Sequence, residues 1–189
     1  MKTRDSGMPA EDHWSSFFTP EALLARLGLD RARGPVVDVG CGYGTFTLPI
    51  ARLTGQQVLG LDIEADLIER LEDRARRSGL TRVRGIVRDV AANGIGEADA
   101  SVDIVLLFNL LHCEDPLALL GEARRVLMPG GRVGIIHWRC DIATPRGPAA
   151  AIRPRPEAVA NWLAQSGFTL EVPACLLEPY HYGLVGEKG

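Results

Sequence analysis

The 189-residue chain has no apolar run approaching the ~18 residues that a membrane span requires. Its first residues, Met1-Lys2-Thr3-Arg4-Asp5-Ser6-Gly7, hold no apolar signal region, so a soluble, cytoplasmic protein is expected. There is no Cys-x-x-Cys pair: Cys41, Cys113, Cys140 and Cys175 are scattered, which suits reduced thiols better than a disulfide framework. Nor is there an excess of positive charge. With 21 Lys+Arg against 24 Asp+Glu the net charge is −3, and nothing draws the whole chain toward nucleic acid or anionic membrane. Small molecules are the expected partners. No internal repeat or low-complexity tract appears, and the length leaves no room for a second domain. The 46% hydrophobic content suits one domain with a sizeable core. Residues 1–12, polar and carrying Gly7 and Pro9, are expected to be a mobile tail ahead of a domain over 13–189.

What is present is organised around Val36-Val37-Asp38-Val39-Gly40-Cys41-Gly42-Tyr43-Gly44. An apolar run stops at three glycines spaced two apart, and an amphipathic stretch from Thr45 to Leu53 begins, which reads as strand, tight turn and helix. Alternate glycines let the backbone take positive φ and let a ligand lie against bare main chain. The helix N-terminus beyond offers unpaired N–H groups to a polar or anionic ligand edge. The dinucleotide fingerprint G-x-G-x-x-G does not fit, because the third glycine arrives one residue early and Thr45 stands in its place.

The rest of the chain alternates strands and helices. Gln57 to Asp62 is a short apolar run ending in an acid, and a helix from about Glu64 to Ser78 completes a beta-alpha-beta unit. Asp62 follows Gly40 at the ~20-residue interval of a carboxylate that accepts from ribose hydroxyls, although a helix N-cap is a competing role. A third strand, about Val83 to Val87, leads to Asp89. A fourth, Val102 to Phe108, is so continuously apolar that burial on both faces is expected. A helix over Pro116 to Leu127 is stopped by Met128-Pro129-Gly130-Gly131 before the strand Arg132 to Trp138. A helix over Glu157 to Gln165 and two strands, Phe168 to Val172 and Tyr180 to Gly186, close the chain.

The D-x-G-x-G-x-G pattern of Asp38 to Gly44 resembles motif I of the class I S-adenosylmethionine (SAM)-dependent methyltransferases. The corner Arg124-Arg125-Val126-Leu127-Met128-Pro129-Gly130-Gly131 resembles the same family, and the likeness extends over about residues 13 to 187. It is nearest the small-molecule branch that includes ubiquinone/menaquinone biosynthesis methyltransferases. The implied fold is α/β: a doubly wound, Rossmann-like, seven-stranded, mostly parallel sheet with helices on both faces and an antiparallel last strand. The implied activity is transfer of a methyl group from SAM to a small acceptor, leaving S-adenosylhomocysteine. The implied cofactor residues are Asp38, Gly40, Cys41, Gly42 and Gly44 at the turn, with Asp62 and Ile63 after the second strand. Asp89 matches the acid that binds the adenine amino group, with Val90 beside the ring, and Asn109 and Leu110 follow the fourth strand.

The acceptor side is read from placement. Asn109-Leu110-Leu111-His112 lacks the prolines of the Asn/Asp-Pro-Pro-aromatic motif found in enzymes that methylate nucleic-acid bases. His112, at the end of the fourth strand, is the best-placed base for an oxygen or carbon acid, with His137 and His181 next; packing is the competing role. Trp14 and Phe17 read as helix packing or as a lid, and Tyr180 to Tyr182 are among the segments left to form the acceptor pocket. Arg139, Arg146, Arg153 and Arg155 cluster in the proline-rich connection 139–156, which reads as a lid or as a linker. Arg146 or Arg153 would pair with an acidic or polar acceptor group. His112, Cys113, His137 and Cys140 fall near the ends of adjacent strands and are of ligand type, but they match no standard finger spacing, so no metal is expected. Two rival classes share some features: a SAM-binding regulator without turnover, and a nicotinamide-dependent oxidoreductase.

Overall fold

The protein is described by a computed structural model over residues 19–189. The tail expected over residues 1–12 and the aromatics Trp14 and Phe17 lie outside the described residues. The chain runs α1 (Pro20–Arg26), β1 (Val36–Val39), α2 (Thr47–Thr54), β2 (Val58–Asp62), α3 (Ala65–Arg77), β3 (Val83–Val87) and α4 (Val90–Asn93). It continues through β4 (Val102–Phe108), α5 (Pro116–Val126), β5 (Leu127–Trp138), α6 (Pro156–Gln165), β6 (Phe168–Leu177) and β7 (His181–Lys188). All seven strands form one sheet in the order β3-β2-β1-β4-β5-β7-β6. The first five strands pair in parallel, and β7 is antiparallel to both of its neighbours.

Burial explains the layering. Every residue of β4 is buried. Val105 and Leu107 pack with Leu120, Ala123 and Val126 of α5 and Val159 and Leu163 of α6 on one face. Ile104, Leu106 and Phe108 pack on the other with Leu24 of α1, Leu27 just after it, Phe46 just before α2 and Ile50 within it. A fully buried Val, Leu, Ile or Phe contributes ~1.5–3 kcal/mol, so a strand buried on both faces is among the strongest anchors of the domain. Helices therefore cover both faces, as a doubly wound sheet requires.

Three boundaries differ from the sequence reading for local reasons. Helix α2 starts at Thr47 rather than Thr45, because the turn is first closed by Gly44 N donating to Cys41 O at 2.9 Å. The Met128-Pro129-Gly130-Gly131 corner does end α5, yet strand pairing already begins at Leu127 opposite Val102 and resumes at Arg132 after an irregularity. Strand β6 runs on to Leu177, past Pro173, which sits at a break in register between Val172 and Cys175. An edge strand tolerates that proline because its missing N–H faces no partner strand.

Strand order reverses at β1, whose neighbours are β2 on one side and β4 on the other. In open α/β sheets, ligands lie beyond the carboxyl ends of the strands at this switch. Gly40 leaves β1 and Asn109 leaves β4 at that point. Because β7 runs antiparallel, its first residue, His181, reaches the same edge as Trp138, the last of β5.

Candidate functional site

On the β1–β2–β3 side the site is made of backbone and carboxylates. Gly40, Gly42 and Gly44 take φ of 69°, 53° and 79°, a region that L side chains rarely occupy. A Cβ at Gly40 would come within 2.9 Å of Leu110 Cδ2, and one at Gly44 within 2.5 Å of Leu71 Cδ1. Asp62 ties the turn to the second strand: Gly42 N donates to its Oδ2 at 2.9 Å and Glu64 N to its Oδ1 at 3.1 Å. The N-cap role is thus partly real. Each carboxylate oxygen still has a second lone pair. Burial pushes the Asp62 carboxyl up, against the amides that lower it. Asp38 is buried beneath the turn and accepts from Thr47 Oγ1 at 2.6 Å; burial, with Asp62 adding to it, raises its pKa to about 7. Cys41 is buried and its thiol is pushed up by burial.

Beyond β2 and β3, Ile63 and Val87 present exposed apolar side chains. Asp89 caps α4, its Oδ1 accepting from Ala92 N at 3.1 Å, and Val90 packs partly against the core. Across the switch, Asn109 is a non-glycine residue at φ 58°, held by its N–H donating to Ile136 O at 2.7 Å. Both polar atoms of its side-chain amide are buried without a hydrogen-bond partner among the described residues. Such strain and an unmet amide concentrate at functional sites.

The β4–β5–β7 side is aromatic and imidazole-rich. His112 Nδ1 lies 3.2 Å from His137 Nε2, and His137 Nδ1 lies 3.3 Å from Trp138 O. His137 is wholly buried, stacks on Tyr182 with centroids 6.2 Å apart, and is held down to about 3 by burial, with His112 adding to it. His181 packs against Trp138 at 4.1 Å and is likewise held to about 3 by burial, with Arg153 adding to it. Burial, then Arg153, lowers His112 as well. Tyr180 borders the group, its ring 6.4 Å from Trp138.

The connection 139–156 is stapled down. Arg153 donates to Pro148 O at 2.8 Å, Arg139 O at 2.8 Å and Arg146 O at 3.2 Å, and its guanidinium lies 5.8 Å from the Trp138 ring centroid. That engagement makes Arg153 a clasp of the connection, whereas Arg146 is exposed. Sequence reasoning missed Thr47, Trp138 and Arg74. Thr47 was readable as the polar residue entering the helix after the glycines. Arg74 carried no signal: it donates to Tyr43 O at 2.6 Å from the neighbouring helix α3, a contact that only folding creates.

Comparison with known proteins agrees with this geometry. Residues 36–131 match the methyltransferase domain family, and this chain belongs to the class I SAM-dependent methyltransferases. A ubiquinone biosynthesis O-methyltransferase of Xanthomonas axonopodis pv. citri is 31% identical over 183 residues, covering 85% of this chain and 72% of that protein. A putative type 11 methyltransferase from Sulfolobus solfataricus aligns with TM-score 0.67 at 27% identity, over 89% of this chain and 91% of that one. A SAM-dependent methyltransferase from Aquifex aeolicus shares the fold at TM-score 0.82 and 22% identity, over 95% and 94% of the two chains. The chain spans about two fifths of the length of several other curated relatives that it matches. SAM is the cofactor of the family, and the residues present fit it: a bare glycine cradle, buried carboxyls suited to a cationic ligand, and an unmet buried amide on Asn109 where the chain leaves β4. Among the described residues no helix is long and apolar enough to cross a membrane.

Proposed function

We propose that this chain transfers the methyl group of SAM to a small-molecule acceptor. The observation that carries the reading is the glycine turn, where three successive glycines at positive φ keep main chain bare and a side chain at Gly40 would strike Leu110. When bound, SAM supplies a methyl group on a positively charged sulfur that departs as a neutral thioether. Gly40, Cys41, Gly42 and Gly44 offer backbone to it. Asp62 accepts the ribose hydroxyls on the lone pairs its amide partners leave, Asp89 takes the adenine amino group, and Ile63 and Val90 flank the ring. Asp38 holds the turn from below through Thr47 and sets a carboxyl against the ligand's positive charge, while Asn109 and Leu110 close the β4 side.

The acceptor lies on the other half of the edge, bounded by His112, Tyr180, His181 and Arg146. His137 supports that wall from behind, and Arg153 holds the connection 139–156 in place. Aligning the nucleophile with the methyl carbon supplies much of the acceleration, and His112 takes a proton where the acceptor carries one. Calorimetry with SAM and with NAD, followed by labelled SAM and a panel of hydroxyl, amine and thiol acceptors, tests the reading. Tight SAM binding with label transfer is expected. Binding of NAD in place of SAM, or SAM binding with no transfer to any acceptor, would return the chain to one of the rival classes.

A further inference from the structure

His112 and His137 meet ring to ring, Nδ1 to Nε2, at 3.2 Å. Two neutral imidazoles at that distance share one N–H and one lone pair, and a third contact decides which ring supplies which. His137 Nδ1 lies 3.3 Å from the carbonyl oxygen of Trp138, an atom that only accepts. His137 therefore carries its proton on Nδ1, offers a lone pair at Nε2, and receives the N–H of His112 Nδ1. The reversed arrangement sets a ring lone pair against a carbonyl lone pair. The wholly buried His137 stays neutral throughout.

The consequence falls on His112. With its proton on Nδ1, the lone pair is on Nε2, at the side of this half-buried ring away from His137 and without a hydrogen-bond partner among the described residues. The charged and titratable groups facing the pair are Arg153 from the connection 139–156, and His181 and Tyr182 from β7. A nearby guanidinium opposes a cationic acceptor and favours an oxygen that gains negative charge.

Resting on the methyl-transfer reading, we infer that His137 is a positioning residue that fixes His112 in its Nδ1–H tautomer, so that Nε2 takes the proton of a hydroxyl acceptor of phenol or enol acidity. The acceptor O–H bond breaks and its proton goes to His112 Nε2. The oxygen forms a bond to the SAM methyl carbon, and the carbon–sulfur electron pair stays on sulfur. Positive charge thus moves from sulfonium to imidazolium, whose Nδ1–H still donates to the neutral His137.

Long-range 1H–15N correlation of the ring nitrogens in the intact wild-type protein near neutral pH needs no acceptor and reads the tautomers directly. Both His112 and His137 are expected as Nδ1–H forms; an Nε2–H signal from His112 overturns the inference. With a simple phenol as probe, His137→Leu should lower kcat about 10-fold or more while the KM for SAM stays put, a part of the ~100- to 10,000-fold that a general base supplies. His137→Gln, whose amide oxygen can accept from His112 Nδ1, should recover most of that loss. Equal turnover in wild type and both variants, or transfer to amines but not to phenols, also overturns it. Failure of the tautomer assignment sinks this inference alone, whereas absence of SAM binding sinks the methyl-transfer reading beneath it.

Discussion

The two halves of the carboxyl edge meet at β1 and β4 yet answer burial in opposite ways. On the β1–β2–β3 half, desolvation acts on carboxyls and raises Asp38 to about 7. On the β4–β5–β7 half it acts on imidazoles and holds His137 and His181 down to about 3. Both halves are driven toward neutrality, and a cation beside the first half would favour the charged form of its carboxyls. A half built from bare amides and carboxyls suits recognition of a charged ligand. A half built from neutral imidazoles and rings suits handling a single proton.

The largest expected effect breaks the recognition half. Gly42→Val places a β-branched residue at φ 53°, and strain of ~1–3 kcal/mol together with lost backbone access should weaken SAM roughly 30-fold or more while circular dichroism shows a folded protein. Unchanged SAM affinity in a folded variant would remove the turn from the site. Next, Asp62→Ala takes two acceptors from Gly42 and Glu64 as well as from the ribose. Charge-assisted hydrogen bonds of ~1.5–3 kcal/mol each imply a dissociation constant raised by tens of fold or more, and titration calorimetry that finds no change would leave Asp62 with its capping role only.

The opposed pKa shifts make a sharper test of the comparison. The raised Asp38 keeps a proton in the folded state that the unfolded chain loses, so its contribution is full below about 3.8 and is lost as pH rises to about 7. His137 and His181 refuse protons that the unfolded chain binds, so their contribution is full above about 6.5 and is lost as pH falls toward about 3. Each such site changes stability by at most ~1.4 kcal/mol per pH unit within its window. Denaturant melts of ligand-free Asp38→Asn should show a more stable protein at pH 8 than the parent, and His181→Gln a shallower loss between pH 6 and 4. Slopes that match the parent in both variants would erase the contrast. The smallest effect separates two arginines: Arg146→Ala should raise the acceptor KM a few-fold and spare stability, whereas Arg153→Ala should loosen residues 139–156 to limited proteolysis. The reverse pattern would make Arg153 the acceptor contact and Arg146 the clasp.

How the edge divides was only partly legible beforehand. The strand-glycine-helix unit, the acid after β2 and the doubly apolar β4 are local patterns, each written within a few residues, and all were readable. That His112 and His137 fall near the ends of adjacent strands was readable too, but their ring-to-ring contact was not, because 25 residues and a whole helix separate them and only the registration of β4 against β5 brings the nitrogens to 3.2 Å. Arg153 misled for a related reason. An arginine in a basic, proline-rich stretch looks free to meet a ligand, but the folded connection turns three of its carbonyls toward that guanidinium.

Local patterns in the chain thus set most strand and helix segments, the burial of β4 on both faces, and the bare backbone and carboxylates that follow β1 and β2; periodicity and glycine chemistry act over short distances along the chain. Which histidine supports which, and which arginine is occupied, came from folding. Folding also made β7, entering antiparallel, set His181 and Tyr182 against the C-terminal end of β5. Those outcomes depend on register and burial between segments remote in sequence, where a lone pair and an N–H find each other through the packing of the whole sheet.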